Sequence, residues 1–315
     1  MNKITIIGSG SVGSTIAYTL TVSGLSSEIV MIDINNEKAL GEALDIRQGI
    51  PFCGKPSTIY AGDYSDATGS DIVIITSGVA RKPGQTRLEL AQINIDVLKS
   101  IIPKITKYAP DAVYLLVSNP VDILTYAFCK LSGIPEHRII GSGTILDTSR
   151  LRARLSEYYS INQNNVHAYV LGEHGDSSFV PWSLANVSNI PISECNKSFM
   201  KPGGIIPELD YAEVEEYVRK SGGRVIERKG ATFYAVSISV CHVVKTILSG
   251  IDTTMTISTM MHGEYGIDDV CLSTLSVVGY NGIRNRVMLP LNDEEIAKLR
   301  HSADKLKEII NGTVI

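Results

Sequence analysis

The chain has 315 residues, 44% of them hydrophobic and 20% charged, and carries a formal net charge of −4. That length accommodates two domains or one large α/β unit with an appendage, and the apolar content excludes a disordered chain. The acidic balance, with no Lys/Arg-rich block, argues against nucleic acid or an anionic membrane as partner, and no apolar run has the length of a membrane span.

Five cysteines (Cys53, Cys129, Cys195, Cys241 and Cys271) are scattered without a CxxC pair, which reads as reduced thiols in a reducing compartment. The first residues enter a strand at once and leave no room for a signal peptide, so the expected location is the cytoplasm. Lys3–Ile7 is a short β-rich run, and Gly8-Ser-Gly-Ser-Val-Gly13 follows it directly, ahead of a helix over 14–23. Strand before and helix after is the context that gives a GxGxxG its meaning. Gly8 allows a tight turn, Gly10 lets a pyrophosphate approach the backbone, and Gly13 lets helix and strand pack closely. The helix N-terminus supplies free N–H groups and the positive end of a dipole for the phosphates. The next strand, 28–34, carries Asp33, twenty residues after Gly13, where the adenosine ribose hydroxyls would be gripped. A carboxylate there repels a 2′-phosphate, so the expected cofactor is NAD rather than NADP.

Further strands are expected over 57–61, 71–75, 112–117 and 138–140, with helices notably over 88–107 and Val121–Leu131. Alternating elements with buried, Val/Ile-rich strands predict an α/β fold, a doubly wound parallel sheet of Rossmann type. Ligands of such sheets bind beyond the carboxyl ends of the strands, which singles out the loop 77–87, Ser118-Asn119, and 142–150. The first of these holds Gly, Pro, Gly and three positive charges and is long for a βα connection, as a lid over a site would be. Asp147 and Arg150 stand three apart at the start of a helix and share a face. Arg150 can clamp a carboxylate bidentately, and Asp147 can hold a histidine ring in one tautomer. Arg152 must point to another side of that helix. The histidine is supplied by Tyr169-Val-Leu-Gly-Glu-His-Gly-Asp176, an apolar run stopping in a glycine-flanked turn that presents His174.

Together Gly8–Gly13, Asp33, Arg81–Arg87, Val117-Ser-Asn-Pro-Val-Asp122, Leu146-Asp-Thr-Ser-Arg150 and Gly172-Glu-His-Gly-Asp176 resemble the L-lactate/L-malate dehydrogenase family, in the same order and over essentially the whole chain. The resemblance implies that His174 exchanges a proton with the substrate oxygen and that Asp147 is its partner. It implies that Arg150 binds the substrate carboxylate, that Arg87 polarises the carbonyl, and that Asn119 contacts substrate and nicotinamide. Asp122 falls within a matching substrate-binding motif. Val12, Lys38, Tyr64, Gly78, Val79, Ser100, Val117, Ser118 and Ser142 match NAD-contacting positions. The expected layout is an NAD-binding domain over 1–143 and an α+β substrate domain over 144–315.

The choice of keto acid is less direct. Arg81 occupies the family's specificity position, where arginine resembles the malate enzymes and could pair with the second carboxylate of oxaloacetate. With pyruvate, that charge would stand unpaired under a closed lid, at a cost of roughly several kcal/mol. Glu173, Pro181-Trp182-Ser183 and Lys229-Gly-Ala-Thr232 resemble the lactate pattern, with Thr232 beside the substrate methyl. Arg152 and His167 match the positions through which bacterial lactate enzymes bind fructose 1,6-bisphosphate between subunits. The resemblance therefore implies pyruvate/L-lactate as substrate, this bisphosphate as activator and a homotetramer, with malate dehydrogenase as the alternative. A catalytically idle NAD-binding protein would have no use for Asp147, Arg87, Arg150 and His174 together.

In the second half, helices are expected over 211–220, 232–248 and from an Asn292 cap through Ile309-Ile310, with strands over 271–278 and 283–289. His242, His262, His301 and Trp182 read as packing or surface residues, and no His/Cys cluster has metal spacing.

Overall fold

A computed structural model describes residues 2–80, 84–198 and 208–315. Six short apolar runs, β1 (Lys3–Ile7), β2 (Glu28–Ile32), β3 (Thr58–Ala61), β4 (Ile72–Ile75), β5 (Val113–Leu116) and β6 (Ile139–Gly141), pair in parallel in the order 3-2-1-4-5-6. Successive residues feed opposite faces of the sheet. Ile72 and Ile74 pack in one core cluster and Val73 and Ile75 in the other, which is why these strands read as unbroken Val/Ile runs. The helices α1 (Ser11–Ser23) and α2 (Asn36–Gly49) cover one face, and α3 (Arg87–Tyr108) and α4 (Val121–Leu131) cover the other. This is the doubly wound Rossmann arrangement, with its strand order reversing between β1 and β4.

The remainder supplies the other wall. α5 (Ile145–Tyr159) leads into a small antiparallel ribbon of β7 (Val166–His167), β8 (Asn186–Val187) and β9 (Ile190–Pro191). After α6 (Ile192–Ser198), α7 (Tyr211–Lys229) and α8 (Tyr234–Ser249) comes a meander of β10 (Thr253–His262), β11 (Asp268–Gly279) and β12 (Gly282–Arg286). β10 pairs antiparallel with β6 through Ser258 and Gly141, so the main sheet runs on past residue 143 to nine strands. The chain ends in α9 (Asp293–Asn311), capped reciprocally by Asn292 and Glu295 as its sequence predicts.

Several expectations shift. Asp33 lies one residue past β2 rather than within it. The helix expected over 211–220 is anchored by Val214 and Val218 against Leu151 and Leu155 of α5, and it runs on through Gly222-Gly223 to Lys229 as largely exposed turns. Thr232 precedes α8 instead of opening it. β10 is buried along most of its length, and its Thr/Met sequence carries no alternation that announces a strand. Trp182 is indeed a packing residue: it stacks on Tyr211 at 4.4 Å and its Nε1 donates to Glu215 at 2.8 Å. No helix among the described residues is long and apolar enough to cross a membrane.

Candidate active site

His174 stands on a loop whose backbone donors from Leu171 to Gly175 all find acceptors. Leu171 and Phe179 exchange two hydrogen bonds, and Gly172 exchanges two more with Ser273 of β11. The N–H of Glu173 donates to Ser302 Oγ of α9 at 2.6 Å, and that of His174 to Asp122 Oδ2 of α4 at 2.7 Å. Gly175 N–H closes onto the Glu173 carbonyl at 2.9 Å. Gly172 adopts φ +91°, and a Cβ there would lie 2.7 Å from Ser302 Oγ, so only glycine fits. Buried backbone donors matched in this way leave the ring little freedom to move.

The imidazole Nδ1 meets Asp147 Oδ2 at 2.5 Å, and Asp147 Oδ1 accepts from Arg150 at 2.8 Å. The carboxylate of Asp147 pushes His174 up to about 9, against the opposing effect of burial. Burial alone would raise the Asp147 carboxyl, but the charges of His174 and Arg150 outweigh it and hold the group below its ordinary value. With Nδ1 engaged, Nε2 is the nitrogen left for a ligand. Asp122 is buried behind this pair, and burial pushes its carboxyl up to about 6. It therefore reaches the cleft only through the His174 backbone.

Arg87 opens α3, whose N-terminus is fixed by a Thr86–Glu89 capping box. Its guanidinium pairs with Asp176 and lies 3.6 Å from Glu173, which brings it to the His174 loop from the far side. Asn94, buried about two turns further along α3, was not singled out from the sequence. Its side chain accepts from Val79 N–H at 2.8 Å and donates to the carbonyls of Val79 and Asn119. One residue thus ties the loop after β4 to the loop after β5. A lone Asn within an amphipathic helix gives no sequence cue to such a role. Asn119 is exposed, and its Oδ1 accepts from Val121 N–H at the start of α4.

The glycine loop fits a dinucleotide. A Cβ on Gly13 would lie 1.9 Å from the Gly8 carbonyl oxygen, whereas one on Gly10 would meet nothing within 4 Å. The loop is therefore tight within and open on the Gly10 side. α1 has neither a side-chain cap nor an acidic residue in its first turn, which leaves its N–H groups to an anion. Asp33 accepts from Ser9 N–H at 2.6 Å, and its charge is felt at Tyr64, whose phenol is raised by burial and by Asp33. Val12 stands in the first turn of α1 beside α8, with its carbonyl accepting from Ser237. Gly78, Val79, Val117, Ser118 and Ser142 lie past the carboxyl ends of β4, β5 and β6, and Ser118 Oγ donates to the Ser77 carbonyl at 2.6 Å.

Other expected residues stand apart. Lys38 is exposed on the first turn of α2, and Ser100 is exposed on α3 with its hydroxyl turned back to the Val97 carbonyl. Thr232 is half-buried in the link between α7 and α8. Arg81 lies outside the described residues. Arg152 faces away from Arg150, donating from Nε to the Ala168 carbonyl beside exposed His167, with its guanidinium over the Tyr169 ring. A cleft of about 440 Å³ opens there, lined by Thr148, Arg152, Tyr169, Ile238 and His242 among others. It is a different place from the His174 centre.

Similarity to known proteins covers both halves of the chain. Residues 2–141 match the lactate/malate dehydrogenase NAD-binding domain, and 144–314 the alpha/beta C-terminal domain of the same family. The chain is 48% identical to the L-lactate dehydrogenase of Acetivibrio thermocellus, over 98% of this chain and 96% of that one. It is 48% identical to L-lactate dehydrogenase 1 of Clostridium acetobutylicum, over 98% of each. Among solved structures, the minor L-lactate dehydrogenase of Enterococcus mundtii superposes with a TM-score of 0.94 at 35% identity, covering 100% of this chain and 99% of that one. A lactate dehydrogenase from a Medee basin deep-sea metagenome gives 0.93 at 36%, covering 99% and 98%. With both domain models of the family matched along nearly its whole length, the chain belongs to the lactate/malate dehydrogenase family.

Proposed function

We propose that the protein is an L-lactate dehydrogenase that reduces pyruvate reversibly with NADH, in the cytoplasm, as a step of fermentative glycolysis. The observation that carries this reading is the convergence of His174, Asp147 and Arg150 within hydrogen-bond reach beside the carboxyl ends of a dinucleotide-binding sheet. The relatives' names support pyruvate over oxaloacetate.

NADH held by the Gly8–Gly13 loop and Asp33 supplies the hydride. Arg150 clamps the substrate carboxylate, with Asp147 fixing its fork. The raised pKa keeps His174 protonated at neutral pH, so Nε2 holds the proton that goes to the ketone oxygen. Asp147 stabilises that imidazolium and keeps the ring oriented. Arg87 meets the negative charge that develops on the oxygen. In reverse, the neutral ring takes the hydroxyl proton back. Gly78, Val79, Val117, Ser118, Asn119 and Ser142 line the nicotinamide side, Thr232 faces the methyl group, and Asp122 seats the His174 backbone.

Fructose 1,6-bisphosphate is the proposed activator at Arg152 and His167. Arg152 is part-buried and forms no ion pair among the described residues, and burial holds its pKa below the ordinary value. A buried cation without a counter-charge is costly, and a phosphate would relieve that cost. The proposed assembly is a homotetramer, consistent with the exposed Tyr18, Val22, Leu40, Tyr234 and Ile238 on α1, α2 and α8.

The test follows NADH oxidation with pyruvate and with oxaloacetate, each with and without the bisphosphate. Pyruvate should give the higher kcat/KM, and the bisphosphate should lower its KM. Faster turnover of oxaloacetate would move the assignment to malate dehydrogenase.

A further inference from the structure

Arg87 arrives at the centre already held. Its two terminal nitrogens face two carboxylates of the His174 loop, Asp176 and Glu173, one on either side of the histidine along the chain. These two acids differ in setting. The Asp176 side chain is 82% exposed, while that of Glu173 is only 11% exposed.

Glu173 is also fixed in orientation. Its N–H is held by Ser302, and its Oε2 accepts from the Ser177 hydroxyl, which itself touches Ser302 Oγ at 3.0 Å. The carboxylate folds back over Gly175, where a Cβ would lie 2.6 Å from Oε1. That leaves Oε1 directed at Arg87 Nη1, 3.6 Å away.

We infer that Glu173 and Asp176 form a two-carboxylate seat that presents Arg87 to the substrate beside His174, with Glu173 as the permanent arm and Asp176 as the exchangeable one. This rests on Arg87 being the cation that meets the substrate oxygen. An exposed ion pair is worth little and yields easily, whereas a buried, hydrogen-bonded carboxylate left without its cation is costly. When substrate enters, the contact given up is therefore the one to Asp176. Glu173 keeps its hold and sets where the remaining N–H groups point. The seat places the receptor for Arg87 on the loop that carries the proton donor, so the two catalytic groups take their positions from one piece of backbone. Glu173 acts here as a positioning residue, through Arg87 and without touching the ligand.

The test is a double-mutant cycle of Glu173→Gln and Arg87→Ala on the full-length enzyme with NADH and pyruvate. Alone, Glu173→Gln should lower kcat by about ten- to a hundredfold, the scale of a misplaced catalytic group, with a smaller change in KM. In the Arg87→Ala background it should change kcat/KM by less than about twofold, since residues that act through one another are not additive. Equal losses in both backgrounds would assign Glu173 to the fold and overturn the seat. A pyruvate kcat/KM untouched by Arg87→Ala would overturn the role of Arg87 and the seat with it. Should Glu173→Gln fail to fold, Ser177→Ala, which frees the carboxylate to turn, enters the same cycle with the same criterion. Exposed Asp176→Asn should lower the KM for pyruvate by about threefold, as loss of a weak surface pair predicts. A KM that is unchanged or raised would remove Asp176 from the exchangeable arm.

Discussion

Replacing Asp147 with Asn should move the alkaline limit of pyruvate reduction. Asn keeps an oxygen for the Nδ1–H of His174 and removes only the charge. That charge is the main reason His174 titrates at about 9 instead of its ordinary 6.5. The difference corresponds to about 3 kcal/mol net in favour of the imidazolium, after burial and Arg150 have opposed Asp147 and Asp122. Without the charge, burial and Arg150 remain against the smaller pull of Asp122, so the ring should titrate at or below 6.5. At pH 8, the protonated fraction then falls from about 90% to about 3%, a loss of roughly thirtyfold from protonation alone. The assay is kcat/KM for pyruvate against pH, with the His174 ring titrated in parallel by NMR. The wild type should fall off near 9 and the variant near 6.5 or below. A variant whose alkaline limb stays near 9 would refute the electrostatic account. The same shift predicts a stability term, because a raised histidine pKa stabilises the fold fully below about pH 6.5 and loses that effect as pH rises through 9.

The buried Asp122 carboxyl has the opposite consequence. Its raised pKa makes its charge destabilising above about pH 6, an effect relieved as pH falls through that value. Asp122→Asn keeps an acceptor for His174 N–H, so it should raise Tm at neutral pH, by the equivalent of about 1–3 kcal/mol, and have little effect near pH 4; thermal melts at the two pH values check this. Asn94→Ala breaks three hydrogen bonds and strands buried partners, which should cost about 2–4 kcal/mol in urea unfolding and weaken NADH binding in fluorescence titrations. Gly13→Ala drives a Cβ into the Gly8 carbonyl and should abolish NADH binding by the same titration. Arg152→Gln should remove any lowering of the pyruvate KM by fructose 1,6-bisphosphate and leave basal turnover in place.

What could be read from the sequence follows from how local each determinant is. The glycine loop is contiguous and Asp147 and Arg150 are about one helical turn apart, so sequence spacing reports their geometry directly, and Asp33 is set by the length of a single strand–helix–strand unit. The meeting of His174 with Asp147 is a long-range contact that chemistry suggested and spacing could not supply. Asn94 and Ser302 were invisible because ordinary helix residues become structural pins only once another loop packs on them. The burial of β10 came from tertiary packing that outweighed weak local propensity, whereas the exposed overrun of α7 past Gly222-Gly223 simply continues a helix already anchored at Val214 and Val218.

The docking of Ser302 onto Glu173 N–H has a bearing on synthesis as well as on the finished enzyme. The parallel strands and glycine loop of the dinucleotide site are complete by residue 142, but the loop presenting the imidazole needs a clasp from Ser302, well over a hundred residues further along. A nascent chain can therefore assemble its nucleotide pocket early, while the seating of its imidazole loop waits for α9 to be made and to dock.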